Sequence, residues 1–374
     1  MKTKQIIRCV LASTCFISLA LGPAVFGQGA LTPPGAPSPT MKTLQQVEPR
    51  TPISALPFVN TNAGSYYLTT NVIAIASNPG ITIYTNNVTL DLSGFTVQGV
   101  PTAGTAVYMP NACTNVTVRN GAITGWANNG VYGLSVYNLV CERLTISGIA
   151  NYGIYCGGGG TLQDCLVQNG TIGIYMTNGT VSACTVKSSS SVGISAWSST
   201  VSACTVQSSG TEGIYANYSV VSGCNVSGWF YDIYAVHSSV SGCTVSGGSN
   251  GIEAEASSVS GCLVQGCFYS GIYIDYPGCQ IIGNNCIGNN TSVSTYDAGI
   301  LVNDNNNRIE NNHVTGSGYA GIRLYGSYTG NIIIRNTVSG SGSNYITNST
   351  SAFGPIITAV GTITNLNPWA NFSY

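Results

Sequence analysis

Six cysteines in this chain of 374 residues recur at nearly constant spacing. Cys165, Cys184, Cys204, Cys224, Cys243 and Cys262 follow one another at steps of 19, 20, 20, 19 and 19. Each stands in the same phrase: LQDCLV at 162–167, VSACTV at 181–186 and 201–206, then VSGCNV, VSGCTV and VSGCLV up to 264. Downstream the phrase continues with Asn, as IGNNCI at 282–287, IENNHV at 309–314 and IIRNTV at 333–338. A second phrase, Gly-Ile-x-x, interleaves with it, as GIYC at 153–156, GIYM at 173–176, GIYA at 213–216, GIEA at 251–254 and GIRL at 321–324. A fixed period of about twenty residues marks a repeat architecture.

Both phrases alternate apolar and polar residues, the period-two signal of a strand with one buried face. Ser, Gly and Asn clusters between them supply turn chemistry. The leucine and asparagine pattern of a leucine-rich repeat is missing, and the period is half that of a propeller blade. The pattern therefore predicts a parallel β-solenoid of about 12 coils, stacked roughly 4.8 Å apart. In such a stack Cys165 to Cys262 form an internal, largely unpaired column, continued by Asn285, Asn312 and Asn336. Cys267, Cys279 and Cys286 lie off that column and are the better candidates for disulfides.

Composition narrows the setting. Only 6% of residues are charged, against about 25% in an ordinary globular domain. Lys2, Lys4 and Arg8 precede the apolar run CVLASTCFISLALGPAVF and a small-residue exit, which predicts a signal peptide at 1–27 and a secreted protein. Without it, eight Lys/Arg remain against twelve Asp/Glu. So few cations exclude nucleic acid as a partner, and no later apolar run is long enough to span a membrane. Residues 28–57 read as a Pro-rich linker, 58–350 as the solenoid and 351–374 as a C-terminal cap, with Trp369 and Phe372 over the last coil. A monomer is expected.

The segments NVTLDLSGFTVQG at 87–99 and NVTVRNGAITGW at 115–126 resemble the first coils of bacterial secreted right-handed parallel β-helix proteins, within the pectate-lyase-like superfamily. MKTLQQVEPRTPI at 41–53 and NPWANF at 367–372 are similar to one branch of that group. The resemblance runs over roughly residues 60–374 and implies an all-β, right-handed, single-stranded parallel β-helix with capped ends. The chain departs from the Asn-Thr-Asp, paired-Asp, Gly-His-Gly and Arg-Ile-Lys series of polygalacturonase-like members. It also lacks the signatures of the pectate lyases.

Alternation makes Ile214 and its equivalents point inward and Tyr215 and its equivalents outward. One outward column then carries Tyr108, Tyr132, Tyr155, Tyr175, Ser195, Tyr215, Tyr234, Glu253, Tyr273, Leu301 and Arg323; the next carries Trp197, Asn217, Val236, Glu255, Asp275, Asn303 and Tyr325. Aromatic platforms suit sugar rings, although Tyr also favours half-exposed strand positions without any ligand. Trp197, Tyr215, Tyr234, His237, Tyr273 and Arg323 are the candidate carbohydrate contacts. Glu253, Glu255 and Asp275 are the candidate catalytic carboxylates, since like charges raise one another's pKa and glycoside hydrolysis uses such a pair. Glu255 and Asp275 also offer oxygen ligands to Ca²⁺, and no other cofactor is expected. The long loop at 288–299 can wall this patch. His313 and the run DNNN at 304–307 read as surface and turn. The leading expectation is a non-catalytic binder of polysaccharide or cell-surface glycan, or a surface scaffold. The alternatives are a polysaccharide lyase or glycoside hydrolase, and a purely structural spacer.

Overall fold

A computed structural model describes residues 42, 44–207, 210–358 and 361–374. The expected signal peptide and most of the expected linker lie outside the described residues. The chain divides into two units, Met1–Glu48 and Pro49–Tyr374. In the first, Leu44–Val47 form one helical turn.

The second unit is a parallel β-solenoid. Each regular coil has three strands, such as Glu212–Asn217, Val220–Ser222 and Asn225–Ser227. The Gly-Ile strands stack into one parallel sheet of 14, from Phe58–Asn60 to Ser343–Ile346. The other two sets form a bent sheet of 28 strands. There are thus 14 coils rather than 12. The strands Phe58–Asn60, Ile81–Ile83 and Ser343–Ile346 lack the Gly-Ile phrase of the central coils, so a count made from the repeated phrases falls short. Parallel pairing already begins at Thr51–Ile53 and ends at Asn371–Ser373. In the C-terminal segment Trp369 stays half-exposed under the Arg335 guanidinium, 4.5 Å away.

Why the phrase reads Gly-Ile is a matter of space. A Cβ on Gly251 would stand 2.5 Å from the Gly271 carbonyl oxygen and 2.6 Å from Val264 Cγ1. A Cβ here requires a local shift between successive coils. Asp232 takes this position in one coil, because Ile233 pairs with Ile214. Its carboxylate is fully buried, accepts from the backbone N–H groups of Trp229 (3.0 Å) and Gly248 (3.1 Å), and is pushed up to about 8 by burial.

Inward residues make unbroken columns. Val181, Val201, Val221, Val240 and Val259 are all fully buried, as are Ile194, Ile214, Ile233 and Ile252. Each contributes roughly 1.5–3 kcal/mol of apolar burial. Tyr215 and Asn217 on the same strand stay half-buried, as the alternation requires.

At the bend, the residue before each cysteine is left-handed: Ala183 and Ala203 with φ +50° and +51°, then Gly223, Gly242 and Gly261 near +60°. The turn aims the cysteine inward, and its thiol donates to a local carbonyl, as Cys204 does to Ser202 at 3.3 Å. Cys165 to Cys262 are buried and free. Cys267, Cys279 and Cys286 are free as well, contrary to expectation. Each fills its own place in the core: Cys279 accepts from Ser257 N–H, and Cys286 stacks between Val264 and Val314. The column continues through Asn284, Asn312, Asn336 and Asn371, so Asn284 replaces the expected Asn285. Cys262 N–H donates to Asn284 Oδ1 (2.9 Å), and Asn284, Asn312 and Asn336 repeat this bond to the next coil at 2.9–3.0 Å. Each amide Nδ2 donates to a carbonyl, as Asn312 does to Ile281 at 2.8 Å. Asn285 instead lies in the following strand, between Leu263 and His313.

Candidate functional site

The outward column of the Gly-Ile sheet has the register expected of it: Tyr132, Tyr155, Tyr175, Ser195, Tyr215, Tyr234, Glu253 and Tyr273 are consecutive partners. Tyr155 and Tyr175 stack face to face at 4.5 Å and 5°, and Tyr132 joins them at 4.8 Å. Stacked rings spend their faces on each other and present edges and hydroxyls to solvent. Ser195 interrupts the stack, and Trp197 leans over the gap, its indole N–H donating to Ser195 Oγ (3.2 Å) while its ring meets Tyr215 at 5.5 Å. Tyr215 meets Tyr234 edge to face, also at 5.5 Å.

The second interruption is Glu253. It is 5% exposed, and its Oε2 has no hydrogen-bond partner. Tyr234 and Tyr273 flank it on adjacent coils. Their hydroxyls turn to the neighbouring carboxylates: Tyr234 donates to Glu255 (2.5 Å) and Tyr273 to Asp275 (2.8 Å). Asn303 Nδ2 also donates to Asp275 (2.7 Å). Burial first, then the charges of Asp275 and Glu255, push Glu253 up to about 7. Burial and these carboxylates also raise the Tyr234 and Tyr273 hydroxyls. The three acids predicted from sequence thus share one face, and one of them is poised to exchange a proton near neutrality.

Beside them the column opens into a hollow of about 370 Å³, lined by Asn250, Tyr269, Tyr273, Tyr296, Asp297, Leu301, Asn303 and Tyr325. The 288–299 loop forms one wall, with Tyr296 6.3 Å from Tyr325. The buried Asn290 fixes the loop by donating to the carbonyls of Ser294 and Asp297 and accepting from Ser294 N–H. Ser270 Oγ holds Asp297 at 3.0 Å. Asn250, Tyr269 and Tyr296 were not singled out from sequence. They precede the Gly-Ile phrase, turn a corner or lie in the irregular loop, where the repeat carries no signal.

Two candidates play other parts. His237 sits at a left-handed corner (φ +48°) and stacks on Tyr218 at 4.8 Å. Arg323 lies against the rings of Tyr319 and Tyr325 (5.4 and 5.0 Å), with Nε and Nη1 buried and without partners. Glu255 and Asp275 each have an oxygen engaged by tyrosine. Among the described residues no group of three or more His, Cys, Asp or Glu has the geometry of a metal site. Asp304 closes a local turn on Asn305 N–H at 2.6 Å, and His313 is exposed.

The right-handed beta helix region family matches residues 58–201 and 197–338. The chain belongs to this family. Its handedness follows, and the coils described above are the rungs of a right-handed β-helix. No curated protein matches the sequence. Among solved structures, the A-module of the Azotobacter vinelandii mannuronan C-5 epimerase AlgE4 is similar at 13% identity and a TM-score of 0.48, covering 78% of this chain and 91% of that one. A mutant of the periplasmic alginate epimerase AlgG matches at 12% and 0.42, covering 84% and 75%. A tailspike protein of E. coli bacteriophage HK620, in complex with pentasaccharide, matches at 13% and 0.43, covering 83% and 72%. These are likenesses of fold, and the reading of the site rests on its own geometry. Among the described residues no helix is long and apolar enough to cross a membrane.

Proposed function

We propose that this β-helix protein is secreted and binds neutral polysaccharide on the outward face of its Gly-Ile sheet. The hollow carries the reading: four tyrosine rings, two amides and one carboxylate converge on about 370 Å³. Rings cover the apolar faces of sugars, and amides and carboxylates take their hydroxyls. Charge selects the class of sugar. Glu253, Glu255, Asp275 and Asp297 surround the site, while the Arg323 guanidinium is turned against tyrosine rings. Four carboxyl groups outnumber that one guanidinium, so a uronate would meet net repulsion here.

Glu253 favours a second reading, glycoside hydrolysis. A carboxyl poised near 7 with one unpartnered oxygen is suited to general acid work beside Asp275 or Glu255. In that case Glu253→Gln would lower turnover by about 10²–10⁴-fold and spare binding.

Affinity electrophoresis of the full chain tests the proposal, using gels of galactomannan, xylan, mixed-linkage glucan, polygalacturonate and alginate, each with Ca²⁺ or EDTA. Neutral polymers should retard the protein, and Tyr273→Ala or Asn303→Ala should abolish the retardation. Selective retention by the polyuronates, or no retention at all, would refute it.

A further inference from the structure

A second hollow opens on the same sheet near the N-terminal end of the solenoid. It holds about 440 Å³ and is lined in part by Tyr108, Tyr132, Tyr152, Asn128, Asn129 and Asn151, with Ser77 and Thr105 beside them. No charged side chain lines it. Here the tyrosine column loosens: Tyr108 and Tyr132 stand 6.1 Å apart and tilt by 42°, against 4.5 Å and 5° for Tyr155 and Tyr175. Tyr152 turns edge-on to Tyr155 at 83°. One face of Tyr132 is stacked on Tyr155, but its Tyr108 side and Tyr108 itself keep ring surface that the tight stack consumes. Asn129 is 4% exposed and held in place, donating to Thr105 Oγ1 and accepting from Tyr152 N–H, both at 3.2 Å. The Asn128 and Asn151 rungs are joined by a backbone bond of 2.9 Å, which brings their amides to the rim together.

Free aromatic surface, amides and hydroxyls without charge are the chemistry of a neutral sugar site. From Tyr132 to Tyr273 the register takes seven steps, a span of about 34 Å at roughly 4.8 Å per coil. Between them runs a track of outward hydroxyls and ring edges from Tyr155, Tyr175, Trp197, Tyr215 and Tyr234. We infer that the Tyr108/Tyr132/Tyr152 hollow is a distal subsite for the same neutral polymer, so that one extended chain spans both hollows along the sheet. This rests on the proposed carbohydrate binding at the Tyr273 hollow. Once one end is held, the second contact is intramolecular, and avidity exceeds either single affinity by about 10²–10⁴-fold where the chain reaches both.

The probes are the neutral polysaccharide of the gel panel that retards the full chain most, and size-fractionated oligosaccharides cut from it. Calorimetric titration should find two weak equivalents of an oligosaccharide too short to span the two hollows. Longer chains should bind one per protein and at least tenfold more tightly. Tyr132→Ala should remove one short-chain equivalent and return long-chain affinity to the short-chain value. Asn128→Ala, at an exposed position, should do the same in part and serves if Tyr132→Ala does not fold. Affinity independent of length, or a long-chain gain that survives Asn128→Ala and every folded Tyr132 variant, would overturn the distal subsite. If short oligosaccharides still bind and Tyr273→Ala abolishes them, the carbohydrate reading stands without it. Absence of binding to any probe would overturn both.

Discussion

Replacing Glu253 with Gln should change how stability depends on pH, with a sign and size set by the site. The carboxyl is 5% exposed; burial, then Asp275 and Glu255, raise it from 4.5 to about 7. Between those values the native protein holds a proton that the unfolded chain has released. Stability from this group is therefore complete below about pH 4.5, falls as pH rises towards about 7, and then levels off. The interval converts to roughly 3 kcal/mol. Asp232 pulls in the same direction but is common to both proteins, so the difference isolates Glu253. Denaturant unfolding of wild type and Glu253→Gln at pH 4.5, 6 and 7.5 is the assay. Gln should gain on the wild type by about 2–3 kcal/mol between the first and last pH. Parallel pH profiles would show that Glu253 ionises normally and would remove the argument for a poised acid.

Glycine positions should rank by space rather than by chemistry. Gly251→Ala places a Cβ 2.5 Å from the Gly271 carbonyl and should cost about 1–3 kcal/mol or more. Gly242→Ala meets nothing within 4 Å and should cost only about 1 kcal/mol for its left-handed backbone; the reverse order in thermal melts would refute the stacking geometry. Thiol titration should find the twelve free cysteines of the described residues, all buried, inert in the native protein and reactive under denaturant, where a shortfall would indicate disulfides. Exclusion from solvent explains the inertness, and burial also pushes Cys286 up to about 12. Ile214→Asp should prevent folding of the coils around it, whereas Tyr215→Ala should yield folded protein; equal damage by circular dichroism would mean the register is off by one.

The repeat was legible because stacking makes each coil ask the same of its residues. Gly-Ile records a close approach, the bend cysteine a small inward space, and the outward tyrosines a half-buried ledge. Alternation alone placed Glu253, Glu255 and Asp275 on one face. What sequence hid was local geometry that no period encodes. Two adjacent asparagines, Asn284 and Asn285, both fit the bend, and only the backbone decides which turns inward. Tyrosines predicted as platforms stack on one another between 132 and 175, so open ring surface survives only where the column breaks or tilts. Tyr269 and Tyr296 reach the hollow from a corner and an irregular loop. Alternation put Arg323 on the outward face, but not the rings of Tyr319 and Tyr325 against which its guanidinium lies.

The central claim is that neutral sugar occupies the hollow walled by Tyr273, Tyr296 and Tyr325. A crystal structure of the full chain with the neutral oligosaccharide that binds it best tests this most directly. The account predicts sugar rings against those tyrosines, with hydroxyls bonded to Asn250, Asn303 or Asp297. Sugar bound only on another face of the solenoid, with this hollow holding water, would contradict it.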